Sequence, residues 1–322
     1  MRTRLAIVIL FALCALGLCG CEARQQGAEA SLVLGFSQLG SESSFRIGNT
    51  RDIEDKAKQY GVSLMMDDAN QKQENQIQAI RRFIAYRVDV IAFSPIVEEG
   101  WDNVLTEARQ AGIPVILVDR TIQTEDHDLY VSQIGADFYQ EGVMAAEYLL
   151  KKKADMGQDT LNIVEITGTE NSTPMKRRHE GFMDTIAGQG LRVLESVSGD
   201  FLRSRGAECM RYLLGKYGDE IDVVFSHNDE MTVGALPEIE QAGYRPGQDM
   251  VIISIDGGQE AIDILKEGRI NCIVECTPML GSILMETALA LKDGKAIDRE
   301  IHPAERAFSD YDDLSNLPPR GY

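Results

Sequence analysis

Residues 31–67 read SLVLGFSQLGSESSFRIGNTRDIEDKAKQYGVSLMMD. The segment opens on a short apolar run, Ser31–Phe36, of strand length and composition. A polar loop follows, and then Phe45–Tyr60 carries apolar residues at helical spacing. Gly61 stands where a helix would end on a left-handed cap. Ser63–Asp67 is again a strand candidate. A strand, a helix of some sixteen residues and a second strand make one βαβ unit, whose two strands must run parallel.

The same alternation extends in both directions. It predicts helices over Gln73–Tyr86 and Gly100–Ala111, and strands over Val90–Phe93, Val115–Val118 and Tyr130–Ile134. A second series follows, with helices over Tyr139–Lys152, Pro174–Ala187, Ser204–Lys216, Thr232–Ala242 and Gln259–Glu267. Its strands are Leu161–Thr167, Arg192–Val197, Val223–Ser226, Val251–Ile255 and Ile270–Glu275, and Thr277–Asp293 closes it as a long helix. Buried strands alternating with helices predict an α/β protein of doubly wound parallel sheets, helices on both faces. Ligands of such sheets gather beyond the carboxyl ends of the strands.

Those ends are polar. After the first strand come Ser37, Gln38, Glu42, Phe45 and Arg46; other ends carry Ser94, Asp119-Arg120, Asn228, Asp256 before two glycines, and Glu275. Each alone reads equally well as a helix cap, a turn residue or a surface ion pair. Together they place charged and amide groups at strand ends in both halves of the chain. Only a cleft between two domains makes such groups converge.

The N-terminus reads as an export signal. Arg2 and Arg4 precede an apolar run, Leu5–Leu18, too short to span a bilayer. It ends in Leu18-Cys19-Gly20-Cys21, which resembles a lipoprotein processing site with lipid attached at Cys21. Residues 21–30 read as a tether. Removing residues 1–20 leaves enough chain for two domains of about 150 residues each. A net charge of −19 disfavours nucleic acid as a partner. Cys209, Cys272 and Cys276 read as buried apolar residues rather than a disulfide framework or a zinc site.

The strand-end motifs resemble those of periplasmic sugar-binding proteins of the ribose and galactose type, with the galactofuranose-binding branch nearest. Gly35-Phe36-Ser37-Gln38, Gly40-Ser41-Glu42-Ser43, Phe45-Arg46 and Gln71-Lys72-Gln73-Glu74-Asn75-Gln76 carry the likeness in the first half. Ser94-Pro95, Gly100-Trp101, Val118-Asp119-Arg120, Ser198-Gly199-Asp200-Phe201, His227-Asn228-Asp229, Ser254-Ile255-Asp256-Gly257 and Glu275 with Thr277-Pro278 complete it.

The resemblance implies two similar lobes joined by three crossovers, residues 30–134 with 276–305 and residues 135–275 with 306–322. It implies that Phe45 and Phe201 sandwich a sugar ring. Ser37, Gln38, Glu42, Arg46, Ser94, Asp119, Arg120, Asn171, Lys176, Asn228, Asp256 and Glu275 would complete the ligand site. Arg46 and Glu275 follow the galactofuranose branch. Residues 169–178, with Pro174 and a basic run, depart from the pattern.

The implied function is capture of a monosaccharide, a galactofuranose or related pentose or hexose, and its delivery to an ABC permease. The protein would be a monomer without metal or cofactor, outside the cytoplasm, membrane-attached only through Cys21. The alternative is a sugar-sensing periplasmic component of a chemotaxis or two-component system. An enzyme is disfavoured: no phosphate-binding loop, Gly-x-Ser-x-Gly elbow or His-Glu-x-x-His motif is present.

Overall fold

The computed structural model describes residues 31–322; the signal segment, Cys21 and the tether lie outside the described residues. The chain forms two six-stranded sheets. The first holds β1 (Val33–Gln38), β2 (Ser63–Asp68), β3 (Val90–Phe93), β4 (Val115–Val118), β5 (Ser132–Ile134) and β11 (Glu300–Ile301), in the order β11-β5-β4-β3-β1-β2. The second holds β6 (Leu161–Thr167), β7 (Leu191–Ser198), β8 (Val223–Ser226), β9 (Val251–Asp256), β10 (Cys272–Glu275) and β12 (Ala307–Ser309), in the order β12-β10-β9-β8-β6-β7. All neighbours pair parallel except β12, which runs antiparallel to β10.

Helices α1 (Ser44–Tyr60), α2 (Gln73–Tyr86) and α3 (Asp102–Gln110) connect the first sheet. Helices α4 (Phe138–Asp155), α5 (Thr173–Ile186), α6 (Arg203–Tyr217), α7 (Asp229–Gln241) and α8 (Gln259–Lys266) serve the second. α9 (Gly281–Lys292) returns to pack on α1. The chain therefore passes between the sheets three times, within 134–138, 275–281 and 301–307. This is the predicted doubly wound class with two α/β lobes.

Both faces of each sheet are covered. Successive residues of a strand point to opposite faces: Val224 and Phe225 of β8 enter different cores, as do Ile91 and Ala92 of β3. In one of these cores Phe182 stacks on Phe225 with ring centroids 4.2 Å apart. A side chain of this size, fully buried, stabilises the fold by about 1.5–3 kcal/mol. Helices α4 and α5 approach backbone to backbone at Gly142 and Gly181, where any side chain would meet a carbonyl of the other helix. That approach brings Arg178 of α5 against Glu141 of α4.

The sequence reading departs from the structure mainly after β10. The closing helix begins at Gly281, not Thr277, because Pro278 sits in a crossover whose carbonyl accepts from Asn49 Nδ2 at 2.8 Å. Asp52 of α1 then accepts from the Gly281 N–H at 2.6 Å, capping the helix from outside. Strands β11 and β12 are two and three residues long, too short to carry a periodic signal.

Candidate functional site

On the first lobe the site is built by two short segments. Ser43 Oγ accepts from the Arg46 N–H at 3.2 Å and starts α1, which fixes Phe45 and Arg46 in the first helical turn. Beyond β4, Asp119 adopts φ +65°. Its carboxylate pairs with Arg46 Nη2, while Arg46 Nε lies 3.7 Å from Glu42 Oε1. Arg120 Nη1 donates to the Ile96 carbonyl at 3.0 Å.

On the second lobe, Phe201 follows β7 at φ +61° and Asp256 ends β9 at φ +117°. Non-glycine residues at positive φ are uncommon and persist only where the surroundings hold them. Three of them, Asp119, Phe201 and Asp256, line one pocket. Asn228 follows β8 and caps α7 through its Oδ1, which accepts from the Met231 N–H at 3.0 Å; its Nδ2 donates to the Phe201 carbonyl at 3.3 Å.

The pocket lies between the lobes and encloses about 330 Å³, including space open to solvent. Glu42, Phe45, Arg46, Asp119, Arg120, Phe201, Asn228 and Asp256, all anticipated from the sequence, line it. The Arg46 guanidinium lies 5.0 Å from the Phe45 ring centroid, and that of Arg120 lies 5.3 Å from the Phe201 ring. The lobes meet around it: Thr173 Oγ1 accepts from the Thr121 N–H and donates to the Thr121 carbonyl, and the Ser44 N–H donates to Glu230 Oε1 at 3.3 Å.

The site holds buried polar groups without protein partners. Arg46 Nη1, Arg120 Nε and Glu42 Oε2 make no hydrogen bond, although such groups are normally satisfied. Burial lowers the Arg120 pKa to about 10, with Arg46 adding to the fall. Burial opposes the charge of Arg46, but Asp119 and Glu42 outweigh it and raise that pKa. Burial, then Asp229, pushes Asp256 well above the usual carboxyl range. The lining thus offers donors and acceptors of both signs within one small space.

Six residues anticipated for the site do not line the pocket. Gln38 is used up internally: its Nε2 donates to Asn49 Oδ1 and Thr50 Oγ1, and its Oε1 accepts from the Leu39 N–H. Ser94 Oγ donates to the Val118 carbonyl at 2.8 Å. Ser37 is fully buried behind the pocket wall, its hydroxyl without a partner. Asn171 accepts from the Glu98 N–H through its backbone carbonyl at 3.2 Å, and Lys176 forms an ion pair with Glu98, so both join the lobes at the rim. Glu275 pairs with Arg320, although β10 places it in register beside Asp256.

Five lining residues were not anticipated for the site: Ser43, Phe138, Pro174, Arg178 and Cys276. Arg178 is buried; its Nε donates to Glu141 Oε2 at 2.6 Å and its Nη1 to the His227 carbonyl at 2.6 Å. Its Nη2 lies 4.0 Å from Asp256 Oδ1. The signal was available, because Pro174, Arg178 and Phe182 recur at intervals of four and share the buried face of α5. Cys209, Cys272 and Cys276 are buried free thiols, and Cys276 also lines the pocket.

Comparison with known proteins places this geometry. Residues 34–296 match the periplasmic binding protein domain family. The galactofuranose-binding protein of Escherichia coli strain K12 is 39% identical over 269 residues, covering 82% of this chain and 84% of its own. A Mycobacterium smegmatis protein solved in complex with β-D-fucofuranose superposes with a TM-score of 0.86 at 42% identity, over 90% of this chain and 95% of its own. The periplasmic binding component of the arabinose ABC transporter of Shewanella sp. ANA-3, bound to α- and β-L-arabinofuranose, superposes with a TM-score of 0.82 at 38% identity, over 86% and 91%. From this match along most of its length, the chain belongs to the periplasmic binding protein domain family.

Proposed function

We propose that this protein is an extracytoplasmic solute-binding lipoprotein that captures a monosaccharide, in its furanose form, and delivers it to an ABC permease without covalent chemistry. The observation that carries the reading is the interlobe pocket in which Arg46 Nη1, Arg120 Nε and Glu42 Oε2 are buried without a hydrogen bond. Three arginines face Glu42, Asp119 and Asp256, so the lining suits a neutral polyol that both donates and accepts. Phe45 and Phe201 offer apolar surface to the C–H faces of a ring, and the charged groups take its hydroxyls. Two relatives solved with furanose sugars support the ring form. Rejection of a wrong epimer follows from the same groups, since each buried polar group left unpaired costs about 1–3 kcal/mol.

Calorimetry with L-arabinose, D-galactose, D-fucose and D-ribose tests the reading. The expected result is one-to-one binding of one of the first three with a Kd on the order of 1 μM. Because only the furanose fraction binds, the intrinsic constant is tighter than the apparent one by that fraction. Absence of heat with all four sugars would overturn the furanose reading.

A further inference from the structure

We infer that Arg320 and Tyr322, which do not line the pocket, are positioning residues for Asp256 and couple its placement to closure of the lobes. The inference rests on the sugar-binding reading for its affinity readouts. The geometry is independent of it.

Asp256 stands at φ +117° and Gly257 at +86°, a turn that does not hold itself. From inside the lobe it is held by Asp229. Asp229 Oδ2 accepts from the N–H groups of Gly257 and Gly258, each at 2.8 Å, and Oδ1 accepts from Ser254 Oγ at 2.7 Å. From outside it is held by the tail. Arg320 Nε donates to the Gly257 carbonyl at 3.0 Å, and Tyr322 Oη donates to the Asp256 carbonyl at 3.2 Å. The tail is itself tied to α8, because the Gln259 N–H donates to the Tyr322 carbonyl at 2.7 Å and the Arg320 N–H donates to Gln259 Oε1 at 2.9 Å. Arg320 also pairs with Glu275 and lies 2.8 Å from Tyr322 Oη. The backbone of the Asp256 turn is therefore clamped on both sides, and one of the two clamps is the tail.

The same tail reaches the other lobe. A Cβ added at Gly48 of α1 would lie 2.8 Å from Tyr322 Cβ. Gly48 sits two residues beyond Arg46, on the helix that carries the first lobe's pocket residues. Tyr322 thus touches both lobes at once, so its contact with α1 is where opening of the lobes would act on the tail. Glycine at position 48 is what admits it.

The test combines equilibrium, kinetic and exchange measurements on the full chain, with L-arabinose and D-galactose as probes. Tyr322→Phe keeps the packing against Gly48 and loses the bond to the Asp256 carbonyl, so Kd should rise about 3- to 10-fold. Arg320→Ala should raise it further, and Arg320→Lys should recover part of the loss. Gly48→Ala separates positioning from general damage. Alanine favours the helix in the ligand-free protein, so its melting temperature should hold or rise. Sugar dissociation should nevertheless speed up at least tenfold, and the effect should vanish when Tyr322 is changed to Gly. A merely structural role would move stability and affinity together.

Hydrogen exchange at the Gly257 and Gly258 amides needs no sugar, and Arg320→Ala should accelerate it in the free protein. Unchanged exchange in Arg320→Ala, or wild-type affinity in Tyr322→Phe and Arg320→Ala with a sugar the wild type binds, would overturn the inference. If the wild type bound none of L-arabinose, D-galactose, D-fucose and D-ribose but exchange accelerated, the furanose reading would fall and the positioning role would stand.

Discussion

Replacing Arg46 with Met keeps most of the side-chain volume and removes the donors. In the structure Arg46 Nη2 serves Asp119 while Nη1 is buried and free. A ligand hydroxyl taken by Nη1 would gain a hydrogen bond to a charged group, worth about 1.5–3 kcal/mol. At 1.4 kcal/mol per tenfold, Arg46→Met should raise Kd by about 10- to 100-fold. Loss of the pair leaves Asp119 buried with Arg120 Nε at 4.0 Å as its remaining cation, so the free protein should also lose stability, by about 3–5 kcal/mol at most. Affinity is therefore measured by calorimetry at a temperature where melting curves show both proteins folded. Arg211→Met is the control: Arg211 is exposed and pairs with Glu238 at 2.7 Å on the outer face of α6. An exposed pair of this kind contributes about 0–1 kcal/mol and should leave Kd untouched. If Arg46→Met bound its sugar as tightly as Arg211→Met, Arg46 would not contact the ligand, and the charged half of the site assignment would fail.

Gln38→Leu should behave oppositely, lowering the melting temperature by stranding Asn49, Thr50 and the Leu39 N–H, with Kd within about twofold of wild type for the folded fraction. Gly168→Ala should weaken binding more than tenfold, because the new methyl occupies the place of the Phe201 ring; unchanged affinity would show that the ring does not face the sugar. Burial pushes the Glu305 carboxyl up to about 9. The folded state therefore holds that proton more tightly than the unfolded chain, so its contribution is complete below pH about 4 and is lost as pH rises towards 9. Melting temperature should fall over that range, and Glu305→Gln should flatten the fall. Cys21→Ala should abolish membrane association while leaving export intact, read by fractionating cells; retention on the membrane would exclude lipid at Cys21 as the anchor.

The alternation of strands and helices was legible because it is local. β3, β4 and β8 begin and end where the sequence reading put them. The chemistry at the strand ends was legible as residue types, since any parallel sheet presents them at one edge. The use made of each type was not, because it depends on partners far along the chain. Arg178 sits in a basic run, Lys176-Arg177-Arg178, from which only Lys176 was expected at the site, and Glu141, 37 residues earlier, with the His227 carbonyl draws Arg178 inward. Glu275 looked like a ligand group, and Arg320, 45 residues later, engages it.

What separates a cap from a ligand group is how many of its bonds the fold already uses. Gln38 and Asn228 are both amides at strand ends. Gln38 has its oxygen and both donors engaged by its own lobe, so it has nothing to offer a ligand. Asn228 spends its oxygen on the α7 cap and one N–H on the Phe201 carbonyl, which leaves a second N–H on a side chain that faces the pocket. The cap therefore does not compete with binding; it orients the remaining donor and holds Phe201 beside it. By the same count Arg46 and Arg120 keep buried donors in reserve; Lys176 also has N–H groups to spare, but its pairing with Glu98 holds it at the rim, outside the pocket. Specificity then rests on the groups whose capacity the fold leaves open, and closure rests on those it has used to join the lobes.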